Sequence, residues 1–156
     1  MGFGTVAASI VMFIAVLSIS TAVFMAMKQD MQSQSDAMHE QSKFLSNNLK
    51  TDISIQNVVY DNETNITTLT VRNTGKTKLS VDLTDIYLGS VFIPRDIQNR
   101  TIAIDPSTDT SNVGIWDTNE VVIITVQKDL KTGDYTAKVS VQYDAYDEDV
   151  FSVSYT

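Results

Sequence analysis

From Gly2 to Met27 (GFGTVAASIVMFIAVLSISTAVFMAM) every position is apolar, small or an uncharged hydroxyl, and Lys28 is the first ionisable side chain. Roughly 25 such residues in a helix rise about 38 Å, more than the ~30 Å hydrocarbon core of a bilayer. The run predicts a membrane-spanning helix over residues 1–27. A cleavable secretory signal needs a basic stretch before a shorter apolar core and an A-x-A-like site after it. No Lys or Arg precedes Val6, and no such site lies between Ser20 and Lys28. The expectation is a permanent anchor.

Residues 28–50 are polar but keep a helical stripe. Phe24, Met31, Met38 and Leu45 recur at intervals of seven, with Gln34 and Gln41 at complementary positions and no Gly or Pro between Lys28 and Lys50. That is a narrow heptad-type seam, so the membrane helix is expected to run on as a stalk. A thin stripe on a polar rod has little to bury in a monomer. It points to association with further copies of the chain or with a sister subunit. The alternative is a helix lying against its own domain.

From Thr51 the period changes to two. Apolar runs begin at Ile53–Ile55–Val58, Ile66–Leu69–Val71 and Leu79–Val81–Leu83, then Ile86–Ile93, Glu120–Leu130, Tyr135–Tyr143 and Val150–Tyr155. Val139, Val141 and Tyr143 alternate with Lys138, Ser140 and Gln142, the pattern of a sheet with one wet face. Turn signals separate the runs at Asp61-Asn62, Asn73-Thr74-Gly75, Asp105-Pro106, Thr132-Gly133-Asp134 and Asp147-Glu148-Asp149. About seven short strands at this spacing predict an immunoglobulin-like antiparallel β-sandwich over residues 51–156. The expected class is α+β: anchor helix 1–27, helical extension 28–50, sandwich 51–156.

Charge sharpens this division. Lys28, Lys43 and Lys50 balance Asp30, Asp36 and Glu40, so the formal net charge of −8 falls wholly on residues 51–156. An acidic domain repels phosphate backbones, which argues against nucleic acid as a partner. The charge serves solubility, or attraction to a basic or cation-coated protein surface. The chain has no cysteine, which removes disulfides, thiolate nucleophiles and Cys-ligated metal together. Three Asn-x-Thr sequons, at Asn62, Asn65 and Asn99, would accept glycans only outside the cell. Lysines after the helix and none before it point the other way, to a cytoplasmic domain. On the residues alone the orientation stays open.

Candidate chemistry is sparse. Gly75-Lys76-Thr77 resembles the end of a phosphate loop, but position 70 is Thr and a strand follows. Gly75 is instead expected to supply positive φ in a hairpin. Met1-Gly2 lacks the Ser or Thr at position 6 that myristoylation wants, since Val6 stands there. His39, the sole histidine, lies on the stalk among Met38 and Glu40 without catalytic partners. The acidic stretches Asp144–Asp149 and Asp105–Glu120 lack the alternating oxygen ligands of an EF-hand, leaving solvated turns, or a weak calcium site as the alternative. No catalytic residue, cofactor or metal is expected, and the chain does not read as an enzyme. The sole tryptophan, Trp116, ordinarily fills a core. Its place beside a long loop makes an interface anchor the alternative, together with Asp109, Ile115 and Asp117.

The opening Met1-Gly2-Phe3-Gly4, the uncharged helix, the polar extension and TDISIQNVVYDNETNITTLTVRNTGKTKLSVDLTDIYLGSVFIP resemble the archaeal flagellar (archaellum) accessory proteins F and G, and F more than G. The likeness covers nearly the whole chain and lies in layout and phrasing, not in a catalytic signature. It implies a membrane helix, a sandwich outside the cell that binds the surface-layer protein, and a stator that holds the motor against the envelope. The partners implied are that surface layer, the sister subunit and further copies. Filament subunits, archaellins and type IV pilins, are the nearest alternative, though they carry a basic leader and no basic residue precedes Lys28 here. An anchored adhesion domain is the third reading. In the stator reading the grip would come from loops and an edge strand on the face away from the membrane.

Overall fold

A computed structural model of the protein describes residues 3–154. The apolar run from Gly2 and the last strand as far as Tyr155 were both expected to reach beyond these bounds, and Gly2 and Tyr155 lie outside the described residues. Helix α1 covers Phe3–Lys50. Its apolar part is long and apolar enough to cross a membrane, with a mean hydropathy of 2.5 over the best window and none of that window buried. The hydroxyls of Ser18, Ser20 and Thr21 each donate to the carbonyl four residues earlier at 2.8 Å. Those polar groups are thereby satisfied inside the helix, as an apolar environment demands.

The chain falls into two compact units, Met1–Lys43 and Phe44–Thr156. The last turns of α1 are built into the second of these, the β unit. The Phe44 ring meets Tyr143 edge-on at 6.0 Å, the Asn48 amide donates to the Tyr143 carbonyl, and the Thr51 hydroxyl donates to Asn47 O at 2.7 Å.

Eight strands follow: β1 Ile53–Asp61, β2 Ile66–Asn73, β3 Asp85–Leu88, β4 Val91–Ile93, β5 Arg100–Ile104, β6 Val121–Gln127, β7 Gly133–Ser140 and β8 Tyr146–Val153. They form two antiparallel four-stranded sheets, ordered β1-β2-β6-β5 and β4-β3-β7-β8. Leu69, Val71, Val122 and Ile124 from the first sheet share one core with Ile86, Leu88, Val139 and Phe151 from the second. Alternation accounts for this: Thr67, Leu69, Val71 and Asn73 of β2 all point inward. In β1 the inward set changes from Ile53 and Ile55 to Val58 and Tyr60 because a bulge interrupts the register between Ile55 and Asn57.

Several sequence expectations need correction. Leu79–Leu83 is no strand: Leu79 makes a lone bridge to Trp116, and Val81–Leu83 is one turn of 3-10 helix. Ile86–Ile93 is two strands, reversed at Gly89 with φ +62°. Strand β5 lay unrecognised in RTIAI, a short run between polar stretches. The turn expected at Asp147-Glu148-Asp149 lies inside β8, where Asp147 accepts the Ile55 N–H at 2.8 Å and Glu148 pairs with Lys138 at 2.8 Å. The reversal sits earlier, at Gln142–Asp144, with Tyr143 and Asp144 both left-handed at φ 61° and 60°.

Candidate interaction surfaces of the β unit

The loop between β5 and β6 is an internally braced structure. Asn73, fully buried at the end of β2, accepts the Asn119 N–H on its carbonyl at 2.8 Å, while its amide donates to Thr77 O at 2.8 Å and Trp116 O at 3.2 Å. Glu120 is buried as well, yet both of its oxygens are claimed, by the Thr110 N–H at 3.2 Å and the Asp117 N–H at 2.8 Å. Asp109 accepts the Gly114 N–H at 3.1 Å, and Asp117 takes the Asn112 amide and stands 3.4 Å from Lys78 Nζ. These carboxylates hold the loop together. Among the described residues no group of three His, Cys, Asp or Glu side chains is placed to hold a metal ion.

Trp116 is a core residue with no exposed surface, its indole N–H donating to Glu120 O at 2.9 Å. It cannot serve as an exposed anchor in this structure, because the bridge to Leu79 draws it between the sheets. Asp117 is nearly buried too, so Ile115 (43 % exposed) and Val113 (88 %) are what this loop presents outward. On α1, Phe24, Met31, Met38 and Leu45 are all exposed.

The three sequons gather at one end of the first sheet. Asn62 and Asn65 lie in the β1–β2 turn, the Asn65 carbonyl receives the Lys128 N–H at 2.9 Å, and the Asn99 carbonyl receives the neighbouring Gln127 N–H at 3.0 Å. That end lies opposite the start of β1, where α1 enters. Hydrogen bonding shapes the turns here: the Thr64 hydroxyl and Glu63 N–H hold the Asp61 carboxyl below its ordinary range.

The two outer sheet faces differ. Paired positions Val59, Thr68, Thr125 and Thr101 form one row across the first sheet, and Asn57, Thr70, Ile123 and Ala103 the next, all uncharged. Across the second sheet runs Phe92, Tyr87, Lys138 and Glu148. There Lys138 lies 3.8 Å over the Tyr146 ring, and Glu148 raises its pKa.

At the free edge of β5, sequence reading missed Arg100. It faces inward opposite Val126 and is 7 % exposed. Its Nη2 donates to Thr84 O, in the other half of the sandwich, at 2.7 Å. Burial, and then the charge of Arg95, pull its pKa below the usual guanidinium value. A cleft of about 340 Å³ opens beside it. An isolated Arg heading an apolar alternation (R-T-I-A-I) was the signal available.

Archaeal-type flagellins, as a family, match residues 2–151. The chain belongs to this family. Archaeal-type flagellins are structural components of the archaellum, the archaeal motility organelle. The fold is similar to that of "Archaellum periplasmic stator protein FlaG from Sulfolobus acidocaldarius", with 16 % identity and a TM-score of 0.51 over 65 % of this chain and 99 % of that one. A structure of the stator complex of FlaF and FlaG from the same organism aligns over 65 % of this chain and 89 % of that one, with 18 % identity and a TM-score of 0.48. No curated protein matches the chain.

Proposed function

We propose that this archaeal-type flagellin is an accessory stator subunit of the archaellum: α1 anchors it in the cell membrane, and the β unit, outside the cell, binds the surface-layer protein and a sister accessory subunit. The observation that carries the reading is the fold. The chain covers 99 % of the solved chain of an archaellum stator protein, and it carries a helix apolar enough to anchor it. The work is mechanical, with a braced sandwich as the gripping element. The exposed seam of Phe24, Met31, Met38 and Leu45 would join copies or sister subunits along the helix. The sequon cluster, away from the point where α1 enters, supports an exterior position.

The family match favours one second reading, a subunit of the filament itself. Shearing filaments from intact cells and probing both fractions separates the two. A stator subunit stays with the cell envelope and needs detergent for release. Recovery with the sheared filament would make it a filament subunit.

A further inference from the structure

We propose that the open edge of β5 is a docking groove for an extended peptide segment bearing a carboxylate, received by Arg100. The inference rests on the reading that the β unit holds a protein partner, and it narrows that reading to one edge and one chemistry. Among the described residues, sheet order gives β5 a neighbour on the β6 side only. The bonds from Asp105 N–H to Val121 O (2.8 Å) and from Gln127 N–H to Asn99 O (3.0 Å) fix the odd-numbered residues as those that bond β6. Antiparallel alternation then turns the N–H and C=O of Ile102 and Ile104 away from β6, toward the open side.

The side chain at the head of this edge asks for an anion. Among the described residues no group accepts a hydrogen bond from Arg100 Nη1, and Arg100 takes part in no ion pair. Arg95, close by, is held by Asp85 at 2.8 Å. Asp85 and Asp96 favour the charge of Arg100 through space, but no carboxylate pairs with it directly: Asp96 is occupied by the Asn99 N–H and amide at 2.6–2.8 Å, and neither it nor Asp82 pairs with Arg100. A buried guanidinium without a directly paired carboxylate is costly, and a carboxylate offers it two parallel charge-assisted bonds. Ile102 and Ile97 also line the cleft, and Ile97 is 85 % exposed at the rim. Free backbone groups along the edge, a cation at its head and an apolar rim fit an acidic strand better than a small anion. A strand supplies all three contacts at once.

The test uses full-length, isotope-labelled protein in detergent micelles and the peptide acetyl-Val-Thr-Glu-Val-Thr-amide. Saturable shifts of the Ile102 and Ile104 amides are expected. Replacing the peptide's Glu with Gln should weaken binding about tenfold, the scale of one charge-assisted bond, and N-methylation of its central residue should abolish it. Arg100→Gln should erase the Glu-over-Gln preference. If that variant unfolds, the peptide pair on unaltered protein still decides. Equal affinity for both peptides, or shifts confined to other strands, would overturn the groove. Isolated surface layer is titrated in parallel. Layer binding that persists at saturating peptide overturns the groove as the grip and leaves the partner reading standing. Absence of layer binding, with the Glu preference intact, removes the surface layer as the partner and supports the groove.

Discussion

Gly75 is a place where one added carbon has nowhere to go. A Cβ there would stand 2.5 Å from both the Asp52 nitrogen and the Lys50 carbonyl oxygen. The backbone approaches so closely because Gly75 and Thr74 donate to Asp52 O at 2.9 and 3.0 Å and Lys76 donates to Lys50 O at 2.7 Å, capping the end of α1. Gly75→Ala should therefore destabilise the β unit by about 1–3 kcal/mol, measured by denaturant unfolding. An unchanged midpoint would show that the helix end shifts freely. The sequence marked this glycine as a turn residue with positive φ. Its φ is not in that range, and close approach is the reason for it, which depends on a segment more than twenty residues away. Trp116 carries the same lesson. Trp116→Ala should cost about 3–5 kcal/mol as a core cavity, so it reports on folding. Val113→Ser and Ile115→Ser, at exposed positions, should stay within about 0.5 kcal/mol of wild type and are the sound probes of this loop. Turn carboxylates add a pH dependence. Asp61 and Asp105 are both held below their ordinary range by turn hydrogen bonds. Their contribution is present above the unfolded carboxylate pKa and is lost as pH falls through the depressed folded values. Asp61→Asn with Asp105→Asn should flatten the acid limb of a stability–pH curve.

Elements were legible where one physical signal dominated. The uncharged run made α1 unmistakable, and β2, β6 and β7 declared themselves by alternation, as Leu69–Val71 and Val122–Ile124–Val126 do. Failures came where a tertiary contact outweighed local pattern. The acids of β8 read as a turn because their partners, the Ile55 N–H and Lys138, lie on other strands. Strand β5 was missed because a five-residue edge headed by a buried arginine has little local signal. The edge proposed as a groove was therefore the part of the fold hardest to read. Val16→Arg, near the middle of the apolar run, should raise the free energy of insertion by about 2.5–3.5 kcal/mol and move protein from the membrane to the soluble or degraded fraction. Undiminished membrane partitioning would remove α1 as the anchor. On the polar part, Met31→Ser with Met38→Ser and Leu45→Ser should lower crosslinking between copies or with a sister subunit. Unaltered crosslinking yields would mean the stripe serves another purpose.

At the scale of the whole molecule the question is which side of the membrane the β unit occupies. The lysines after the apolar run, Lys28, Lys43 and Lys50, favour the cytoplasm on a simple count. Two features oppose that count. Asn62, Asn65 and Asn99 come together at one end of the first sheet, and their backbones are joined to consecutive residues of the β6 terminus, Lys128 and Gln127. The formal net charge of −8 on residues 51–156 would meet a cation-coated lattice favourably, with an attraction that weakens as salt is raised. On the proposed stator reading, the β unit would hold something fixed while the filament turns, at an anchor point in the envelope. The expected outcome is that protease added to intact cells, stripped of any covering lattice, removes the β unit and leaves a membrane-embedded fragment of α1. The loop around Val113 and Ile115 is a ready first cut, since both are exposed on an irregular segment. Full protection in intact cells, with digestion only after lysis, would place the β unit in the cytoplasm. The surface layer would then be out of reach and the stator reading would fall with it.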